Sequence, residues 1–320
     1  MNIQITATNF AVPKTRQSAS EIAELVGRDE SWVNQNVGVA NRHVCKLGQD
    51  PAELATEAAS PIVEQHGDPD LLIYASASVR QCIPDTSVFV ALQLGLSGIP
   101  AFSINATCLS FLVALRNAAS LIETGVYEKI LIVTAELPTL SRNFAHAESA
   151  ALFGDGAAAV MVEATERPSG IEHFRQVTWP QCAEMSQIRG GGLLLHPTNE
   201  ITAPEDYLFE MDGNSLLRIV LPRMMRFLKQ FFASCEFDIA DIDLIIPHQA
   251  SAAGMKLLAK VGMPPERTID ILNDYGNCVS ASIPMALAMA EQQGKVKRGD
   301  HILLLGTAAG LSIGAAILKW

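Results

Sequence analysis

The sequence predicts an α/β fold assembled from two pseudo-symmetric halves, on three observations. Short aliphatic runs alternate with helical patterns, two of those runs recur later in the chain, and the recurrence keeps its spacing. Met-Asn-Ile-Gln-Ile-Thr-Ala at the N-terminus reads as a first strand, and Pro51–Gln65 as a helix. Asp70-Leu-Leu-Ile-Tyr-Ala-Ser-Ala77 then reads as a strand buried on both faces. Ala101–Ile104 ends in a short turn, and a helix apolar almost all round starts near Cys108 and runs to about Thr124, where Gly125 closes it. Lys129-Ile-Leu-Ile-Val-Thr-Ala135 and Ala157–Val162 are further strands.

The turn-rich Arg167-Pro-Ser-Gly170 divides the chain into an N-terminal half, 1–168, and a C-terminal half, 169–320. Beyond it the order repeats. A helix over Ser215–Phe232 precedes Asp243-Leu-Ile-Ile-Pro-His-Gln-Ala250, a copy of the strand at Asp70. A helix over Ser282–Gln293 precedes His301-Ile-Leu-Leu-Leu-Gly-Thr307, a copy of the strand at Lys129. Ile130 lies 60 residues after Asp70 and Ile302 lies 59 after Asp243, a match that chance among aliphatic strands does not supply. Strands alternating with helices imply parallel sheets covered on both faces.

Composition narrows the function. Of 320 residues 49% are apolar and 18% charged, the balance of a packed globular protein. A net charge of −11 without a basic tract excludes a nucleic-acid footprint and disfavours anionic membranes. The apolar runs are too short to insert in a bilayer, and the N-terminus has no charged segment leading an apolar core, so a cytoplasmic protein is expected. The six cysteines form no CxxC pair and read as reduced thiols. The seven histidines show no HExxH or paired-ligand spacing, and neither a P-loop nor GxGxxG occurs, so neither metal nor cofactor is expected.

Three residues carry candidate chemistry. In Ser103-Ile-Asn-Ala-Thr-Cys108-Leu-Ser the thiol falls at a helix N-terminus, where the dipole and free N–H groups favour thiolate and can receive an oxyanion. Taken alone, the segment fits a packed core cysteine equally well. His248 follows a buried strand that Pro247 ends, and strand C-termini are where α/β sheets place their chemistry. Asn277, in Asp274-Tyr-Gly-Asn277-Cys-Val-Ser, has the ordinary reading of a turn or cap residue. Asn277 lies 34 residues after Asp243 and Cys108 lies 38 after Asp70, so both are expected at similar places in the two halves. Convergence of Cys, His and Asn between halves suits acyl transfer.

These segments resemble the β-ketoacyl-acyl-carrier-protein synthase III family of the thiolase superfamily. The likeness rests on the strand-turn-helix around Cys108, on Pro247-His-Gln-Ala250 and on Gly276-Asn to Pro284. It rests also on Phe153-Gly-Asp-Gly156 and the Gly-rich end Gly306–Gly314, and spans essentially the whole chain. The resemblance implies a thiolase-like five-layer αβαβα fold, a homodimer, and acyl-coenzyme A or acyl-carrier-protein thioesters as partners. It implies that Cys108 holds the acyl group while His248 and Asn277 hydrogen-bond the second thioester's carbonyl. The backbone N–H groups of Cys108 and Ala309 would form the oxyanion hole, with Ala309 standing where the family commonly has Gly, and Phe153 would contact substrate.

Two departures bear on substrate. The family typically has Arg where Asn36 and Ala253 stand, and loss of both weakens phosphate or carrier recognition by on the order of a few kcal/mol. Trp32 is kept and can stack on an adenine or simply pack. Ile83 aligns with a bulky aromatic that closes the acyl pocket across the dimer; a smaller side chain there deepens the pocket or merely packs. Lys256 and Lys260, spaced i, i+4, and Arg223 are candidate carrier-docking residues, against the commoner meaning of a solvated helix face. The expected activity is decarboxylative Claisen condensation with a malonyl- or β-ketoacyl-type thioester, specialised for longer or unusual acyl groups. The alternatives are acyl transfer to a hydroxyl or amine, non-decarboxylative condensation, and an inactive partner subunit. Asn277 favours condensation because a carboxamide is no base.

Overall fold

Alternation within each strand decides the layering. A computed structural model describes residues 2–320, the side chain of Asn214 apart. In the first half, β1 (Ile3–Ala11), β2 (Leu71–Tyr74), β3 (Ala101–Ser103), β4 (Lys129–Glu136) and β5 (Gly156–Ala164) form one sheet in the order β1-β5-β4-β2-β3. In the second half, β6 (Gly170–Cys182), β7 (Leu244–Pro247), β8 (His301–Ala308) and β9 (Gly310–Lys319) form another in the order β7-β8-β9-β6. The sheets are mixed, not purely parallel as the alternation suggested. β2 runs parallel to β3 and β4, and β7 to β8, across helical crossovers, whereas β4 and β5, and β8 and β9, are antiparallel neighbours. The turn at Ala309 alone joins β8 to β9, which leaves no room for a crossover helix.

The helices that matter are α1 (Pro51–His66), α2 (Thr86–Gln93), α3 (Ser110–Glu123), α4 (Gly213–Ala233), α5 (Ala252–Lys260) and α6 (Ser282–Gln292). Asp50 caps α1 by accepting from the Ala52 N–H at 2.9 Å, with Pro51 at the first position, where its missing N–H costs nothing. Leu71, Ile73, Ile130 and Ile132 face α3 and α6, as do Leu244, Ile246, Ile302 and Leu304 from the other sheet. The intervening residues Leu72, Tyr74, Leu131 and Val133 face α1 and α2. Ile245, Leu303 and Leu305 face α4 and α5. The result is the thiolase-like five-layer αβαβα sandwich, with α3 and α6 at its centre. Each aliphatic buried this way contributes about 1.5–3 kcal/mol over exposure.

The duplication extends to single atoms. Asp70 Oδ2 accepts from the Lys129 N–H at 2.9 Å and Asp243 Oδ2 from the His301 N–H at 2.8 Å, each locking the start of one parallel pair. Leu71 stands opposite Ile130, and Leu244 opposite Ile302. The central helices α3 and α6 both begin on a serine, Ser110 and Ser282.

Candidate active site

The local chain at Cys108 is set by the turn that precedes it. The helix starts two residues later than its hydrophobic pattern suggested, at Ser110, so Cys108 lies in the turn and not in the first helical position. Asn105 Oδ1 accepts from the Thr107 N–H at 2.9 Å, and Thr107 takes φ 51°, a left-handed conformation unusual for a β-branched residue. That kink lifts Cys108 off the helix axis onto the wall of a cavity of about 920 Å³. The backbone at Cys108 and at Ala309, the pair expected for an oxyanion hole, acts to lower the pKa of the Cys108 sulfur. Ala309 does not have a positive φ, whereas Gly310 after it has φ 88°, so alanine fits where the family commonly has glycine.

The thiol is not poised as the helix-dipole argument predicted. Burial pushes its pKa up to about 12, the Glu136 carboxyl adds to the rise, and the two N–H groups offset only part of it. In the free protein Cys108 is therefore a neutral thiol that needs a proton acceptor as it attacks.

His248 and Asn277 share that cavity wall. His248 follows the end of β7, its N–H donating to Leu305 O at 2.7 Å. Its side chain is held against Gly306, where an added Cβ would lie 3.1 Å from the His248 Cβ and 2.9 Å from Leu109 Cδ2. The residue after the nucleophile and the histidine thus pack on the same glycine. Burial pushes the imidazole down to about 4, so it is neutral at pH 7. Its Nδ1 is buried without a hydrogen-bond partner among the described residues. Asn277 donates from Nδ2 to Ala250 O at 3.1 Å and accepts at Oδ1 from the Val279 N–H at 2.8 Å. Gln249, between His248 and Ala250, is fully buried and fixes the loop by donating to Pro247 O and accepting from the Ile271 N–H.

Close approach of two chain segments explains the glycine motifs. A Cβ on Gly154 would sit 1.9 Å from Tyr275 O, and one on Gly276, at φ 68°, 2.5 Å from Leu152 O. Asn277 N–H donates to Leu152 O at 2.9 Å and Gly154 N–H to Asn277 O at 3.2 Å. Asp155 is buried beneath, accepting from the N–H groups of Cys45 and Thr139. Phe153 lines the cavity and meets Phe209 edge to face at 4.9 Å.

The remaining expected residues divide. Asn36 and Ala253 line the cavity mouth, Asn36 donating to Trp32 O at 3.1 Å. Trp32 lies beside the mouth with the Arg28 guanidinium 5.5 Å from its ring, so one face is already covered. Ile83 is 85% exposed and does not line the cavity of its own chain. Lys256 and Lys260 are exposed on α5, whose Ala253, Gly254 and Leu257 form part of the wall. Arg223 is half-buried, 5.8 Å from the Trp179 ring, and is held there by packing. Glu136, at the end of β4, was not singled out in the sequence although it lines the cavity. The one signal for it is an acidic residue immediately after the buried strand Lys129–Ala135.

Known proteins resemble the chain in both halves. Residues 102–178, which include Cys108, match the family described as 3-oxoacyl-[acyl-carrier-protein (ACP)] synthase III, and residues 232–320, which include His248 and Asn277, match its C terminal. The β-ketoacyl-[acyl-carrier-protein] synthase III of Clostridium perfringens is 31% identical over 323 residues, 99% of each chain. That of Syntrophomonas wolfei is 28% identical over 325 residues, 100% of this chain and 98% of its own. The crystal structure of 3-oxoacyl-[acyl-carrier-protein] synthase III from Aquifex aeolicus superposes with a TM-score of 0.89 at 28% identity, covering 99% of this chain and 100% of that one. Xanthomonas campestris OleA shares the fold, with a TM-score of 0.84 at 20% identity and coverage of 100% and 99%. A likeness that runs from end to end in both sequence and fold makes this chain a member of the β-ketoacyl-[acyl-carrier-protein] synthase III family.

Proposed function

We propose that the chain is a ketosynthase-type condensing acyltransferase. Cys108 attacks the carbonyl of an acyl thioester, the tetrahedral oxyanion rests on the N–H groups of Cys108 and Ala309, and the departing thiolate takes up the proton the cysteine releases. A malonyl-type thioester, which carries the carboxylate to be lost, then binds. Loss of CO2 leaves an enolate whose oxygen accepts from His248 Nε2–H and Asn277 Nδ2–H, and its carbon displaces the Cys108 sulfur from the acyl group. The orphaned Nδ1 of His248 supports this tautomer: a lone pair is tolerated there better than an N–H, which leaves the proton on Nε2. The observation that carries the reading is the placement of Cys108, His248, Asn277 and the Ala309 N–H on one cavity.

The acyl group is proposed to be longer or less usual than acetyl. Asn36 and Ala253 at the mouth offer no guanidinium to a phosphate, and Leu140, Leu216, Val220, Met224 and Leu257 give the cavity an apolar lining. Lys256 and Lys260 are the candidate contacts for an acidic carrier. A homodimer is proposed through the edge of the first sheet. There, among the described residues, β3 pairs only with β2, and Val79, Ile83, Val88, Leu92 and Phe102 are exposed around it. Ile83 would then reach the partner's cavity. The division into halves 1–168 and 169–320 is proposed because each sheet is drawn from one side of that point.

The test is to incubate the protein with a panel of acyl-coenzyme A and acyl-carrier thioesters of graded length and weigh the Cys108 peptide. Malonyl thioester is then added and CO2 and β-ketoacyl product are measured. Acylation followed by CO2 release is expected. Acylation with no CO2 under any condition shifts the reading to acyl transfer or non-decarboxylative condensation, and no acylation from any donor leaves an inactive subunit.

A further inference from the structure

Glu136 is buried, lines the cavity, and takes no part in the chemistry above. Its carboxyl is bonded on every side. Oε1 accepts from the Ala77 N–H at 2.8 Å, and Oε2 from the Ser78 N–H at 3.0 Å and the Ser78 hydroxyl at 2.7 Å. These contacts belong to the loop after β2, in the same half as Cys108. The remaining contact crosses to the other half, where Oε1 is bonded to the Ser280 hydroxyl. Ser280 is fully buried and also lies 3.0 Å from Ala75 O. It stands in the turn of Asn277, one residue beyond Val279, which has φ 46° and whose N–H donates to the Asn277 carboxamide. A single hydroxyl therefore ties the backbone that orients Asn277 to a carboxyl anchored in the nucleophile's half.

Proton counting sharpens the contact. The Ser280 hydroxyl has one proton and two acceptors within reach, Ala75 O and Glu136 Oε1. A protonated Glu136 satisfies both, donating to Ser280 Oγ while Ser280 donates to Ala75 O. Burial pushes the Glu136 carboxyl up, while its hydrogen bonds from Ser280, Ala77 and Ser78 hold it down.

We infer that Glu136 is a positioning residue for the condensation step, setting the Asn277 carboxamide against Cys108 through Ser280. This rests on the function proposed above. Acyl transfer to Cys108 needs the thiol and the two N–H groups, whereas the second step needs Asn277, so disturbing the tie acts on one half-reaction and spares the other. The experiment compares wild type with Ser280→Ala and Glu136→Gln, the latter because a carboxamide nitrogen cannot accept from the Ala77 N–H. Acylation of Cys108 is followed by mass after rapid quench, condensation by product formation, and folding by thermal melting. Ser280→Ala is expected to acylate within twofold of wild type, and Glu136→Gln, which also removes the carboxyl that raises the Cys108 thiol, no more slowly than wild type; both are expected to lose at least tenfold in the kcat of condensation, with a smaller change in KM. Condensation at the wild-type rate in both variants overturns the inference while leaving the proposed function intact. Parallel loss of both half-reactions, or failure of both variants to fold, makes the contact merely structural and also overturns it. A wild-type protein that takes no acyl group removes the functional reading and this inference with it.

Discussion

The turns that lead into the two central helices are built to one plan and used differently. Before α3, Asn105 Oδ1 accepts from the N–H two residues on and Thr107 is left-handed; before α6, Asn277 Oδ1 does the same and Val279 is left-handed. Each left-handed residue stands three positions before the serine that starts its helix. In this register the counterpart of Cys108 is Ser280, and the counterpart of Asn277 is Asn105. The sequence comparison had set Cys108 against Asn277. A common backbone device thus delivers two unlike sets of side chains to one cavity. In the first turn the asparagine and the residue after the kink, Cys108, both line the cavity. In the second the asparagine lines it and the residue after the kink, Ser280, is fully buried away from it. Duplication supplied the geometry, and the difference lies in the position after the kink, a thiol on the cavity wall in one turn and a buried hydroxyl in the other.

That contrast is most sharply tested by removing each asparagine. Asn277→Ala is expected to slow condensation by roughly 10²–10³-fold, the usual loss of a transition-state donor, with acylation of Cys108 nearly unchanged in single-turnover assays. Asn105→Ala is expected to act the other way, slowing acylation several-fold because Cys108 loses its kinked support. Equal effects of the two substitutions on the two steps would remove the distinction between the turns.

A smaller effect follows from pH. His248, buried neutral with its pKa pushed down to about 4, binds a proton less readily folded than unfolded, where imidazole titrates near 6.5. Between those values the unfolded chain holds more protons, so this residue subtracts stability as pH falls through 6.5 and ceases to add to the loss below about 4. Urea unfolding from pH 7.5 to 4.5 is expected to show a shallower acid decline in His248→Asn than in wild type. Over the same interval, condensation should show no step from a group near pH 6.5. The Cys108 thiol, raised to about 12 first by burial and then by Glu136, should react with iodoacetamide at a rate that still climbs past pH 10.

The smallest expected effect is on the kinks themselves. A β-branched residue in the left-handed region stores about 1–3 kcal/mol, and Val279→Gly releases it against about 0.5–1 kcal/mol of added chain entropy. Differential scanning calorimetry is expected to show a melting temperature raised by roughly 1–4 °C. Thr107→Gly should gain less, because the Thr107 hydroxyl also bonds Ala106 O at 2.8 Å.

Much of this was legible in the sequence because it is carried by local pattern. The aliphatic strands at Asp70 and Asp243 declare their burial, and their equal spacing from Ile130 and Ile302 declares the duplication. Cys108, His248 and Asn277 stood out because each ends a buried strand or opens a helix. What depends on distant neighbours was not legible. The thiol's raised pKa comes from burial between the two sheets and from Glu136, 28 positions away in the chain. The Ser280–Glu136 contact joins residues 144 apart, and nothing near either of them announces it. The mixed character of the sheets was missed because a hairpin and a crossover both begin with a buried aliphatic strand.

The backbone ladder between residues 152–154 and Asn277 has a consequence for how substrates arrive. With a carbonyl held where a Gly154 Cβ would be, and strand-like pairing on both sides of Asn277, the halves are zipped together beside the reacting atoms. No hinge can part them there without breaking that seam. Whatever reaches the sulfur therefore enters through the opening the cavity already has, beside Asn36 and Ala253, and not by the halves swinging apart at this seam.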